Sequence, residues 1–465
     1  MPSTFKSDPK NQITDRSDAV CIVGAGPAGL SVARALKRRG IPYDQFERHD
    51  DVGGIWDLSN PGTPMYHSAH FISSRGTSGF YDFPMPDDYP DYPSNRQILA
   101  YTRSFARAFG LYDAIRFRTA IEQVDKDGES WRVRLDSGEL RRYRAVVCAT
   151  GTNWHPRLPR HEGHFNGEIR HSVTFKHADE FRGKRVLIVG LGNSGADIAC
   201  DAAANADAAF VSVRRGYHFI PKHVFGIPVD EFANSGPQLP MWLQRPAMSL
   251  LLRMVLGDTS RTGMPRPDHR LFESHPLLNS QLLHYLQHGD IKAKGDVRCF
   301  DGDHVVFADG SREKIDLVLY ATGYNMSIPY VPETYFDWDG GRPKLNLTAF
   351  NPKHNNLFGL GYLETNSSAY TLFDRVSQLV ANYLHDQNHQ PDNARAFERR
   401  LHEDRPDLSG GIRFIDSDRT KGYIEIHAYK KHIEKLRRQM GWPELVPGFF
   451  DGVRSLPDRP ADLPA

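Results

Sequence analysis

Two short glycine-rich segments carry the residue pattern in this chain best suited to chemistry: Gly24-Ala25-Gly26-Pro27-Ala28-Gly29 and Gly190-Leu191-Gly192-Asn193-Ser194-Gly195. In a G-x-G-x-x-G turn the first glycine permits a tight bend and the second lets a pyrophosphate approach the backbone. The third lets the following helix pack closely, and the N–H groups at that helix start face the phosphate charge. One match alone is weak, since 39 glycines in 465 residues give on the order of 0.3 matches by chance. Two occur, each after an apolar run and before helical periodicity. The residues that follow separate the ligands. Glu47 lies about 20 residues past the first loop, where a carboxylate binds ribose hydroxyls and repels a 2′-phosphate, which suits FAD or NAD. Arg214 and Arg215 take the corresponding place after the second loop, where guanidinium forks match a 2′-phosphate and point to NADP. The bland alternatives are βα turns without ligand and arginines at a solvated strand end. Together the two loops point to an NADPH-dependent flavoenzyme.

The elements that must position these loops repeat one grammar. An apolar strand at 19–23 leads into the first loop, a helix runs from Leu30 to a stop at Gly40, and a strand at 43–46 ends on Glu47. A strand at 186–189, a helix from Ala196 to about Ala204 and a strand at 209–213 do the same around the second. Two further runs, AVVCATG at 145–151 and LVLYATG at 317–323, break on Ala-Thr-Gly. That pattern suits buried strands whose ends meet a ligand or a sharp turn. They flank the second loop. The expected fold is therefore α/β with two Rossmann-like dinucleotide-binding domains, the NADP domain inserted into the FAD domain. The boundaries expected are a flexible tail at 1–18, FAD domain at 19–159, NADP domain at 160–322, FAD domain resumed at 323–453, and a loose tail at 454–465.

Composition removes several function classes. A net charge of +1 provides no bulk field to recruit nucleic acid or an anionic membrane. Cys21, Cys148, Cys200 and Cys299 form no Cys-x-x-Cys pair, so there is no metal-site spacing, no disulfide framework and no thiol reductase motif. The start of the chain lacks an apolar run of signal-peptide length. The longest apolar candidate, 241–256, is interrupted by Gln244, Arg245, Pro246 and Arg253 and is too short to span a bilayer. It reads as a core or domain-packing helix, the alternatives being a channel lid or a surface helix touching lipid. A cytoplasmic location is expected, with a homodimer left open.

Further motifs carry a resemblance. Phe165-Asn166-Gly167-Glu168-Ile169-Arg170-His171 with Phe175, Gly53-Gly54-Ile55-Trp56, the run FYDFPMP from Phe80 to Pro86, His275-Pro276 with Asn279, and Ala321-Thr322-Gly323-Tyr324 stand in order along the chain. In this set the sequence resembles the flavin-containing monooxygenase family. Phe175 replaces that family's usual tyrosine. Phe175-Lys176 also stands where the related Baeyer–Villiger enzymes carry Trp-Pro or Trp-Asp. The resemblance implies an N,N-dimethylaniline-type, NADPH- and FAD-dependent monooxygenase. Such an enzyme passes one atom of O2 to an amine nitrogen or sulfide sulfur through a C4a-hydroperoxyflavin. Baeyer–Villiger oxidation of ketones and weakly coupled NADPH oxidation with release of peroxide are the alternatives. The resemblance also implies that Gly24, Ala25, Gly26, Pro27, Ala28 and Gly29 hold the FAD pyrophosphate, Glu47 its ribose, and Ile55, Trp56, Ile72 and Ser73 its surroundings. Gly190, Gly192, Asn193, Ser194, Gly195, Ala196, Asp197, Arg214 and Arg215 are implied for NADP.

One departure stands at the reacting centre. The family's active-site asparagine aligns with Ile72, and no asparagine lies between Asn60 and Asn95. An isoleucine side chain makes no hydrogen bond. The expectation is that backbone groups or Ser73 and Ser74 replace the amide, or that the oxygenated flavin is shorter-lived.

Overall fold

The structure, a computed structural model, describes residues 13–235, 241–417 and 419–455. Strands β1 (Ile13–Val23), β2 (Tyr43–Phe46), β3 (Ile115–Arg116), β4 (Ile121–Asp127), β5 (Ser130–Leu135) and β6 (Leu140–Cys148) form one sheet in the order β3-β2-β1-β6-β5-β4. The last five residues of β1 and the last four of β6 are all buried. Such two-sided burial is what a continuous apolar run in a parallel pair requires. β1 begins six residues before its apolar run. Residues 13–16, three of them polar, are held there by register on β6, from Ile13 opposite Leu140 to Arg16 opposite Tyr143. The expected tail at 1–18 is thus strand from Ile13 onward. Its earlier residues, and all but the first two of the tail at 454–465, lie outside the described residues.

A second sheet is wholly parallel. It contains β7 (Glu168–His171), β8 (Arg185–Val189), β9 (Ala208–Ser212), β10 (Ile291–Lys294) and β11 (Leu317–Tyr320), in the order β10-β9-β8-β11-β7. β12 (Leu357–Gly359) then returns to the first sheet and pairs parallel with β6. The second unit therefore lies within the chain between two strands of the first, which is the insertion the sequence implied. The two crossings run side by side, His155–Pro156 pairing antiparallel with Tyr324–Asn325.

Helix α1 (Pro27–Arg38) follows the first glycine turn with proline at its start and Lys37 and Arg38 in its last turn, both favourable to its dipole. α2 (Asn193–Asn205) follows the second turn, starting three residues earlier than periodicity suggested. α3 (Met241–Leu256) departs from the core-helix reading. Of its residues only Leu252 is fully buried, whereas Trp242, Leu250, Met254 and Val255 are exposed. Its Met and Leu spacing is helical, but one flank faces water, and Met241, Gln244 and Met248 face the main cavity. α4 (Tyr370–His389) packs on α1 through a wholly buried ion pair, Arg34 Nη2 to Asp374 Oδ1 at 2.7 Å.

Candidate functional site

The two glycine turns are structural copies. Gly24 N–H donates to Phe46 O at 2.8 Å, and Gly190 N–H donates to Ser212 O at 3.0 Å. Both glycines are left-handed, at φ +105° and +97°. A Cβ on Gly24 would lie 2.6 Å from Ala149 O, and one on Gly190 2.8 Å from Ala321 O. Each Ala-Thr-Gly segment thus ends against its own glycine turn. The third glycines are equally constrained, because a Cβ on Gly29 or Gly195 would fall 2.1 or 2.2 Å from the carbonyl of the first. The middle glycines differ. A Cβ on Gly26 would meet nothing closer than Gly54 Cα at 3.6 Å, and one on Gly192 nothing within 4 Å. That bare backbone beside open space is what a close phosphate approach needs.

Glu47 is buried, and its carboxylate folds back over the first turn. Oε2 accepts Ala25 N–H at 2.7 Å and Oε1 accepts His49 N–H at 2.9 Å. The strand-end bonds also correct the register of the arginines. Phe46 and Ser212 are equivalent, so Val213 is the counterpart of Glu47 and Arg214 that of Arg48. Arg48 stacks on Trp154 with 4.3 Å to the ring centre. Arg214 and Arg215 are exposed at the strand end, and Arg215 stands 3.8 Å from Asp268.

One cavity of about 760 Å³ joins the two turns. Gly24, Gly26, Pro27, Ala28 and Glu47 border it on one side, and Asn193, Ser194 and Asp197 on the other. Ile55, Trp56, Ile72 and Ser73 form the wall between. Ala25, Gly29, Gly190, Gly192, Gly195, Ala196 and the two arginines are not among the residues that line the cavity. Ser74 is turned away: its N–H donates to Asp230 Oδ2 at 2.8 Å and its hydroxyl lies 3.2 Å from Thr77 Oγ1. Only Ser73 of the two serines is therefore at hand for a ligand.

Sequence reasoning gave no role to several groups here. Ser368 Oγ, His275 Nε2 and Asp230 Oδ1 are buried atoms of cavity-wall residues that have no hydrogen-bond partner among the described residues. Unpartnered polar atoms are costly unless a ligand completes them. His275 sits 3.1 Å from Tyr423 through Nδ1, and burial pushes its imidazole down to about 3, with Arg419 adding to the shift. No spacing rule links these residues, which come from three separate segments.

The fingerprint histidine is a junction residue. His171 Nδ1 accepts Val173 N–H at 3.1 Å, so the proton sits on Nε2, which donates to Gly323 O at 3.1 Å. Burial lowers its pKa, which keeps that neutral tautomer. Beside it Phe175 is fully buried against Phe181, and Lys176 Nζ donates to Thr63 O at 2.7 Å and Met65 O at 2.9 Å. The fingerprint thus joins the inserted unit to the first. Among the described residues no cluster of His, Cys, Asp or Glu could hold a metal, and no helix is long and apolar enough to cross a membrane.

Comparison with known proteins places this geometry. The family described as "FMO-like: Flavin-binding monooxygenase-like" matches residues 17–405. Indole-3-pyruvate monooxygenase YUCCA4 of Oryza sativa subsp. japonica is 32% identical over 422 residues, covering 82% of this chain and 91% of the rice protein. Flavin-containing monooxygenase 5 of Homo sapiens is 34% identical over 338 residues, covering 68% of this chain and 63% of the human one. Among solved structures, oxidized steroid monooxygenase bound to NADP superimposes with a TM-score of 0.68 at 20% identity, covering 92% of this chain and 98% of that one. The chain belongs to the flavin-binding monooxygenase-like family, and is an FAD- and NADPH-dependent oxidoreductase built on two dinucleotide-binding folds.

Proposed function

We propose that this protein is a monooxygenase that transfers one atom of O2 to a soft nucleophile, an amine nitrogen or a sulfide sulfur, with NADPH as reductant. In balance, NADPH, a proton, O2 and substrate give NADP⁺, water and oxygenated substrate. The observation that carries the reading is the single cavity bordered by both glycine turns. Two dinucleotides bound there would face one another across a shared space. The bare Gly26 and the folded-back Glu47 suit the pyrophosphate and ribose of FAD, with Ile55, Trp56, Ile72 and Ser73 as neighbours. Gly192, Asn193 and Ser194 suit the NADP pyrophosphate, and Arg214 and Arg215 its 2′-phosphate. FAD, when bound and reduced, supplies the activation of O2. The chain's own task is to hold the two cofactors apart at a fixed distance and keep water out. In this reading the inserted NADP unit spans about 160–322 and the FAD unit 19–159 with 323–453, the extents drawn from the sequence pattern.

The test is an assay of purified protein for NADPH consumption, product and peroxide together. Candidate substrates are a tertiary amine, a dialkyl sulfide, a cyclic ketone and indole-3-pyruvate, the acid for which the rice relative is named. One N- or S-oxide per NADPH is the expected result. An ester from the ketone would make it a Baeyer–Villiger enzyme. Peroxide equal to NADPH, with no product, would make it an oxidase. No flavin and no NADPH oxidation would overturn the reading.

A further inference from the structure

Residues 63–74 belong to the first unit and carry Ile72 and Ser73 on the cavity wall, yet the inserted unit holds this segment along its length. Lys176 takes the carbonyls of Thr63 and Met65. Tyr66 OH donates to Asp197 Oδ2 at 3.1 Å, Ser68 Oγ donates to Asp201 Oδ2 at 2.5 Å, and Asp230 receives Ser74 N–H. The Tyr66 contact differs from the others because both of its partners face the cavity. Tyr66 is 3% exposed, and its ring packs on the fingerprint aromatic Phe175 at 5.7 Å between centres. Asp197 lies one turn into α2, whose first residues, Asn193 and Ser194, form the cavity wall at the second glycine turn. Its other oxygen accepts Asn279 Nδ2 at 2.8 Å, and Asn279 Oδ1 in turn accepts Leu282 N–H at 2.8 Å. Asp197 is thus fixed from behind, and Tyr66 is its link to the first unit.

We propose that Tyr66 is a positioning residue: through Asp197 it sets the Ile72–Ser73 wall against bound FAD according to whether the second glycine turn holds its dinucleotide. The physical reason is electrostatic. A pyrophosphate arriving at the start of α2 brings negative charge near the Asp197 carboxyl group, which then depends more strongly on its two donors. Tightening the Tyr66 bond draws on the main chain that carries Ile72. The proposal rests on the two-dinucleotide reading, so its test separates the two.

The experiment titrates the FAD-loaded protein with NADP⁺, without turnover, following the flavin visible spectrum while calorimetry measures binding. Wild type is expected to show a difference spectrum that saturates with NADP⁺. Tyr66→Phe keeps the ring on Phe175 but loses the link. Its difference spectrum is expected to shrink on the order of threefold or more, with FAD content retained and the melting temperature lowered by the loss of a buried hydrogen bond. Ser68→Ala, which cuts the parallel contact outside the cavity, is expected to leave the spectrum unchanged. With Tyr66→Phe, peroxide formed per NADPH is expected to rise. An unaltered spectrum in NADP⁺-saturated Tyr66→Phe would overturn the proposal, as would an equal loss in Ser68→Ala or a wild type that binds NADP⁺ without spectral change. A calorimetric blank for wild type would instead strike down the NADP reading, and the proposal with it.

Discussion

Arg214 and Arg215 stand exposed at the end of β9, where a 2′-phosphate can reach their guanidinium forks. Charge-assisted bonds of this type contribute about 1.5–3 kcal/mol each. Arg214→Ala and Arg215→Ala are each expected to raise the KM for NADPH roughly tenfold or more, with the KM for NADH little changed. Steady-state kinetics with both coenzymes checks this, and unaltered discrimination in the double variant would remove the assignment. At the opposite wall, Ile72→Asn restores an amide where the family carries one. The expected outcome is a several-fold fall in peroxide released per NADPH, measured with a peroxide-specific probe. His275 makes a pH prediction. Its folded pKa, pressed down to about 3, lies below the ordinary histidine value of about 6.5. Below pH 6.5 the unfolded chain therefore binds a proton that the folded chain refuses. The stability contribution is complete above that pH and is lost as pH falls toward 3. The melting temperature of wild type should accordingly drop more between pH 7.5 and 5 than that of His275→Gln.

Among the helices, α1 and α4 decide how firmly the first glycine turn is held. The α1 residue Arg34 meets Asp374 at 2.7 Å with both side chains fully buried, and its guanidinium also lies 3.6 Å from the Phe450 ring centre. Asp374 Oδ2 accepts Tyr81 N–H at 2.7 Å, and Arg34 donates to Tyr81 O at 2.9 Å. The pair thereby pins the run around Phe80 that the sequence singled out. Breaking it leaves an uncompensated buried carboxylate, so Arg34→Met is expected to cost about 3–5 kcal/mol in urea unfolding. A loss below 1 kcal/mol would show that the pair adds little to the fold. α3 makes the opposite case. Its apolar residues read as core by spacing alone, because a helical stripe looks the same whether it faces protein, a cavity or water.

At the scale of the whole molecule, two sheets share one cavity, and occupancy of that cavity should appear as stability. FAD at about 100 times its Kd should stabilise the folded chain by about 2.7 kcal/mol. Thermal unfolding with increasing FAD should therefore show a rising midpoint. A Gly29→Ala chain should lose that rise, since its Cβ would lie 2.1 Å from Gly24 O and displace the turn. A midpoint that rises equally in Gly29→Ala would mean the turn is not the FAD cradle. The insertion also explains why the contacts at Lys176, Asp197 and Asp230 matter. They are side-chain ties from the inserted unit to one segment of its host.

The two glycine turns, the strands before them, the insertion order and the cofactor pair were legible in the sequence. A tight turn with backbone open to a phosphate admits only glycine at fixed spacing, and that constraint is written locally. Ile72 was legible for the same reason, as a residue out of keeping with a motif around it. Tertiary structure alone decided that Ser73 and not Ser74 faces the cavity, that Arg214 stands one residue beyond the counterpart of Glu47, and that α3 is half in water. It alone brought Tyr66 to Asp197 and left His275 and Ser368 with atoms on the cavity wall that have no partner among the described residues. These depend on how two sheets pack and where distant segments cross, and no spacing within any one segment records that.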